Sequence, residues 1–273
     1  MKRIKYFALV AICLAVFGIM ATKAYSADVG VVFLHGKSGS PNSPAIKGVV
    51  EAMRSAGMEV RVPDMPWSRS RSYNAGYEDA MREVHQIVES MRKNGVKTVF
   101  VAGHSLGANG AIGYGAMFGD ADGIVAIAPG HTPDVPKFQT VVGNSVKKAQ
   151  DMVSEGHGTE NAEFTDTNQG RVSSITTTAA IYLSYFSPNG SAVIPSNIQK
   201  WKKNIPFIWL VGKKDPMYER GEFYAYKKAP VNPANQYVVI DADHMGTPDV
   251  VEGQVVEWIQ KVAGAKLQQK SNK

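Results

Sequence analysis

An apolar run, Val99-Phe100-Val101-Ala102, leads directly into Gly103-His104-Ser105-Leu106-Gly107, and a run of small residues leaves it: Ala108, Gly110, Ala111, Gly113, Gly115 and Ala116. This strand, sharp turn and helix constrain the fold more than any other stretch of the chain. The glycines at 107, 110, 113 and 115 would each cost a solvent-facing helix about 1 kcal/mol relative to alanine. Such a helix is compensated when it is buried and lies close against a sheet, so the segment belongs inside a layered α/β structure. Glycines on either side of Ser105 also remove Cβ atoms that would clash where the strand doubles into the helix. Alone the pentapeptide is weak: with 26 glycines in the chain, chance supplies it in roughly one such sequence in six. A buried turn with Ser105 as a helix N-cap is the better explanation of the bare pentapeptide, so the rest of the chain must decide.

The ends and the composition narrow the context. Lys2, Arg3 and Lys5 precede an apolar run from Tyr6 to Met20, and Ala24-Tyr25-Ser26 offers small residues for cleavage. Residues 1–26 are therefore expected to be a secretory signal peptide, too short in apolar length to span a bilayer as a stable anchor. The product is expected in the periplasm or outside the cell. Cys13 lies inside this segment, so the remaining chain of about 247 residues has no cysteine. Disulfides, a thiol nucleophile and cysteine-ligated zinc are excluded, and the fold must rest on a buried core. Loss of Lys2, Arg3, Lys5 and Lys23 reduces the formal charge from +6 to +2, which removes the main support for nucleic-acid binding.

From Ala27 onward, strand-like and helix-like segments alternate. This pattern predicts a mostly parallel sheet of about six strands flanked by helices on both faces. Strands are expected at Val29 to Leu34, Met58 to Val62, Val96 to Ala102, Gly123 to Ala128, Ile205 to Val211 and Gln236 to Ile240. Ser43-Pro44 opens a helix with Ile46, Val49, Val50 and Met53 on one face. Further apolar helical faces carry Tyr77 to Met91, Phe138 to Val153 and Val251 to Val262. Between residues 156 and 195 the periodicity gives way to Gly-rich and Thr-rich sequence around Asn168-Gln169-Gly170-Arg171. That segment reads either as a lid-like excursion over the functional edge or as a connection without substrate contact. The domain reading is one α/β domain over 27–264, followed by a basic, flexible tail over 265–273.

Two more strand exits carry reactive groups. Asp215 stands in Gly212-Lys213-Lys214-Asp215-Pro216, and His244 in Asp241-Ala242-Asp243-His244-Met245-Gly246. Open α/β sheets place their reactive groups at the carboxyl ends of strands. A hydroxyl, a carboxylate and an imidazole are thus expected along one edge. Asp243 reads as a turn residue, and Asp241 and Asp134 as weaker acids. His35 and His104 read as loop-shaping. His85, His131 and His157 show no ligand spacing, so neither a metal site nor a cofactor is expected.

The order Ser105, Asp215, His244, together with the elbow and the His35-Gly36 loop, resembles the α/β-hydrolase superfamily from about Val29 to Val262. The resemblance implies Ser105 as nucleophile, His244 as base and Asp215 as the group that orients it. It also implies an oxyanion hole built from the backbone amides of Lys37 and Leu106. Serine at the elbow argues against the branches that use aspartate there. The implied reaction is hydrolysis of small-molecule carboxylic esters, as in a carboxylesterase or lipase. Thioesterase, amidase or peptidase chemistry, or a non-catalytic binding protein of the same fold, are the alternatives. Substrate contacts are expected at Met65, Trp67, Tyr182 and Phe186, aromatic and apolar residues outside the regular strands.

Overall fold

Among the described residues, six strands pair in parallel throughout. In spatial order they are β2 (Glu59–Arg61), β1 (Val29–Leu34), β3 (Thr98–His104), β4 (Gly123–Ile127), β7 (Phe207–Gly212) and β8 (Gln236–Ile240). The computed structural model describes residues 27–271, so the expected signal segment, residues 1–26, lies outside the described residues. A parallel sheet covered on both faces needs continuous apolar strands. In β1, Val31 and Phe33 enter one core layer while Val32 and Leu34 enter the other, all fully buried.

Helices α1 (Pro44–Ser55) and α9 (Glu252–Ser271) cover the first face, through Ile46, Val49, Met53, Val255, Trp258 and Ile259. On the second face lie α2 (Tyr77–Lys93), α3 (Leu106–Met117) and α4 (Pro136–Ser154). The small residues of α3 have two partners. A Cβ on Gly107 would overlap the Leu34 carbonyl at the end of β1, whereas Gly110 and Gly115 make room for the rings of Trp67 and Trp201. Of these three glycines, Gly107 is the one that meets the sheet backbone. Aromatic rings take up the remainder.

The stretch without clear periodicity has regular structure of its own. Strands β5 (Asn161–Asn168) and β6 (Arg171–Thr178) form an antiparallel hairpin, followed by α5 (Ala179–Phe186) and α6 (Ile194–Gln199). Its two-residue turn places Gln169 at φ 51° and Gly170 at φ 76°, the left-handed pair that suits the twist of a hairpin. A lone hairpin is marginal in water. This one is anchored by Phe164, whose ring stacks 4.4 Å from Tyr182, which in turn stacks 4.3 Å from Phe186. The C-terminal segment also departs from expectation: α9 continues through Ser271, and Lys266 pairs with Asp122 at 3.0 Å. Short helices α7 (Gly221–Tyr224) and α8 (Thr247–Val250) flank the last strand. No helix among the described residues is long and apolar enough to cross a membrane.

Candidate active site

Ser105 occupies the turn between β3 and α3 with φ 58° and ψ −120°. A non-glycine residue in this region is strained, and the strain is held by surrounding contacts. Its amide donates to the Ile127 carbonyl at 3.1 Å, and its carbonyl accepts from Ala108 and Gly130. The side chain makes no helix-capping bond, so the N-cap explanation does not account for the serine. Instead its Oγ lies 2.9 Å from His244 Nε2.

His244 follows β8, and its Nδ1 lies 2.6 Å from Asp215 Oδ2. A nitrogen facing a carboxylate carries the proton, which leaves Nε2 as acceptor for the Ser105 hydroxyl. Asp215 follows β7, and its Oδ1 accepts the Met217 amide at 2.6 Å. All three side chains are buried. The other acids are engaged elsewhere: Asp243 with the Gly246 amide, Asp134 with the Tyr224 hydroxyl, and Asp241 with Lys214 at the surface.

Two histidines brace this arrangement without touching the serine. His104 Nε2 donates to the His244 carbonyl at 3.0 Å. Burial, helped by the neighbouring His244, pushes its pKa down to about 4, so it is a neutral donor at ordinary pH. His35 is fully buried; its Nδ1 donates to the Gly36 carbonyl and its Nε2 accepts the Met65 amide. Trp67 Nε1 donates to the His35 carbonyl at 2.8 Å. These bonds hold the loop after β1 beside the nucleophile, where a Cβ on Gly36 would lie 3.3 Å from Ser105 Cβ. Among the described residues, neither the Lys37 nor the Leu106 amide donates a hydrogen bond. Both are free to serve an oxyanion.

The Lys37 side chain turns inward. Its Nζ donates to Asp166 Oδ1 at 2.5 Å and to the Thr167 carbonyl at 2.9 Å, and it lies 5.0 Å from the Phe186 ring centroid. Lys37 and Asp166 side chains are only 3% and 4% exposed. Burial pushes the ammonium pKa down, and Asp166 opposes the shift. The loop after β1 is thereby tied to the hairpin.

A cleft of about 620 Å³ opens over Ser105 and His244. Its walls include Leu106, Phe138 and Met217, with the hairpin tip from Thr167 to Gly170 along one side. The residues expected to contact substrate lie elsewhere. Met65, Trp67, Tyr182 and Phe186 are fully buried in the core, and none lines the cleft. Trp67 supports the loop after β1, while Tyr182 and Phe186 seat the hairpin. In a domain of this size, burying large rings outweighs leaving them on a cleft wall.

Sequence reasoning missed Gly130. A Cβ there would stand 3.1 Å from Ser105 Oγ and 3.3 Å from His244 Cε1. The turn that carries it includes two non-glycine residues in the left-handed region, Ala128 and His131. Asn109, also missed, braces that turn by donating to the His131 and Ala192 carbonyls, both at 2.8 Å. The Ala-Pro-Gly-His run after β4 was the available signal. No group of three or more residues able to hold a metal ion occurs among the described residues.

Comparison with known proteins gives a family and a fold. The model of the family described as serine aminopeptidase, S33, matches residues 26–244. A search of the curated proteins finds no match. Among solved structures, a monoacylglycerol lipase from Paleococcus ferrophilus superposes with a TM-score of 0.63 at 20% identity, covering 85% of this chain and 94% of that one. Est1E from Butyrivibrio proteoclasticus, solved with ferulic acid bound, gives 0.62 at 16% identity over 86% and 89%. An esterase from Pyrococcus furiosus gives 0.59 at 19% identity over 87% and 83%. At these identities the likeness establishes the α/β-hydrolase fold.

Proposed function

The chain belongs to the serine aminopeptidase S33 family of α/β hydrolases, and from that premise we propose that it is an exported serine hydrolase of carboxylic esters. The observation that carries this reading is the continuous relay from Ser105 Oγ through His244 to Asp215, at 2.9 and 2.6 Å. Ser105 Oγ attacks the ester carbonyl carbon while its proton passes to His244 Nε2. Asp215 holds the imidazole in the required tautomer and stabilises the imidazolium. The Lys37 and Leu106 amides receive the oxyanion. His244 then returns the proton to the departing alkoxide, leaving an acyl-enzyme that water hydrolyses by the same route in reverse.

An ester is favoured over an aminopeptide substrate by the charge of the cleft. Recognition of a free amino terminus calls for a carboxylate, and Asp215 is the only one among the described residues that line the cleft. It is already committed to His244 and the Met217 amide. The esterases and lipase that share the fold agree with this choice.

A fluorophosphonate probe tests the assignment. Wild-type protein is expected to label at Ser105, Ser105→Ala to lose labelling, and His244→Ala to be slowed by several orders of magnitude. Undiminished labelling of Ser105→Ala would remove the serine from the mechanism. Matched ester and amide substrates decide between the chemistries, and faster turnover of the amide would overturn the ester reading. Amino-terminal sequencing of the exported protein, expected to begin at Ala27, tests the signal segment.

A further inference from the structure

The cleft is positive in a way that the proposed reaction does not require. Arg220, four residues beyond the proline after Asp215, is half-buried and lines it. Its Nε donates to the Met217 thioether at 3.2 Å, a weak acceptor. No carboxylate lies within ion-pair distance of the guanidinium among the described residues. A second positive contribution comes from the start of α4, where Val135, Lys137 and Phe138 all line the cleft. This 19-residue helix has no side-chain cap and no acidic residue in its first turn. The nearest acid, Asp134 just before the cap residue Val135, accepts from the Tyr224 hydroxyl, and Lys137 adds an exposed ammonium beside the positive end of the helix dipole. Asp215 is the one carboxylate among the described residues that line the cleft, and it is held by His244 and the Met217 amide, while Asp166 balances the charge of Lys37.

We propose that the cleft selects esters that carry a second, free carboxylate, the half-esters of dicarboxylic acids. The two Nη groups of Arg220 form a fork that matches a carboxylate, and the α4 end with Lys137 supplies the remaining positive potential. The scissile ester then lies at Ser105, with the chain between the two carbonyl carbons spanning the apolar wall of Leu106, Phe138 and Met217. This inference rests on the ester-hydrolase reading and names its substrate class.

The test uses mono-p-nitrophenyl esters of dicarboxylic acids of increasing length, each paired with the same molecule whose free acid is capped as a methyl ester. At one length, the acid form is expected to exceed its capped partner in kcat/KM by roughly tenfold, the worth of one half-exposed charge-assisted contact. Added salt reduces the ratio. Arg220→Gln brings the ratio toward one, Arg220→Glu below one, and Lys137→Gln lowers it by a smaller factor. Equal or better turnover of the capped ester at every length overturns the proposal, as does an acid preference that survives Arg220→Gln. Labelling by a neutral fluorophosphonate is read in parallel. A protein that labels but shows no acid preference refutes this inference alone, whereas one that neither labels nor turns over any ester refutes the hydrolase reading and this inference with it.

Discussion

Asp166→Leu is the substitution from which the structure predicts most, because it removes the anion from a cation that cannot reach water. Lys37 and Asp166 are 3% and 4% exposed and 2.5 Å apart, so solvent screening does not soften the loss. Breaking a buried pair by deleting one partner costs about 3 to 5 kcal/mol. A second route gives the same range. The ammonium can shed its proton instead, and neutralising a lysine of ordinary pKa 10.5 at pH 7 costs up to about 5 kcal/mol. Replacing both partners, Lys37→Met with Asp166→Leu, leaves no orphaned charge beside the Phe186 ring and is expected to fall within about 1 kcal/mol of wild type. Urea unfolding of wild type, both single variants and the double variant closes the cycle, with an expected coupling of at least about 5 kcal/mol. The fluorophosphonate labelling rate gives a second readout, since the backbone amide of Lys37 is the proposed oxyanion donor. Asp166→Leu is expected to slow labelling by at least about tenfold, part of what losing one donor costs. A single variant costing under about 1 kcal/mol, or a double variant as unstable as the two singles combined, would refute the reasoning.

Gly107→Ala pushes a Cβ into the Leu34 carbonyl and is expected to destabilise the fold by about 3 kcal/mol in urea titrations. Gly130→Ala places its methyl 3.1 Å from Ser105 Oγ; thermal unfolding should change little while labelling slows at least about tenfold. Stability should also fall as the solution is acidified below neutrality. His104 ordinarily titrates at 6.5 and is held at about 4 in the fold. Between those values the unfolded chain binds a proton that the native one excludes, so this residue alone removes about 2 kcal/mol by pH 5. His35, fully buried, and His131, half-buried, are also lowered by desolvation and act in the same direction, and a urea midpoint unchanged from pH 7.5 to 5 would contradict the account. Lys266→Gln breaks a partly exposed pair with Asp122 and should cost less than about 1 kcal/mol by the same titration.

The central strands β1, β3, β4 and β7 were readable because they are buried on both faces and so appear as apolar runs, while the edge strands β2 and β8 are partly exposed. The helices α1, α2 and α4 were readable because each shows the core a stripe at helical spacing. The hairpin was not, and its inward positions explain why. Ala162, Phe164 and Asp166 alternate toward the protein, but the third is a carboxylate. Its presence inside depends on Lys37, 129 residues earlier, a pairing that no local pattern carries. The C-terminal segment misled for a related reason: lysine and glutamine signal solvent, yet both are good helix formers, and α9 simply continues through them.

The same distinction separates the parts of the site. Ser105, Asp215 and His244 lie just beyond strand ends, and in a parallel sheet the strand direction alone sends all of those ends to one edge. Their meeting follows from topology. Whether a ring in an irregular segment faces cleft or core has no such rule: Trp67 turns inward because the His35 carbonyl needs a donor, and Tyr182 because Phe164 offers it a face. The residues that do line the cleft, at the hairpin tip, the start of α4 and Arg220, lie mostly in polar or charged sequence that reads as solvated surface. Only the tertiary arrangement turns that surface into a wall. In this fold the chemistry is therefore inherited from the sheet, while substrate choice belongs to connections whose orientation is set by distant partners, and Arg220 tests that division directly.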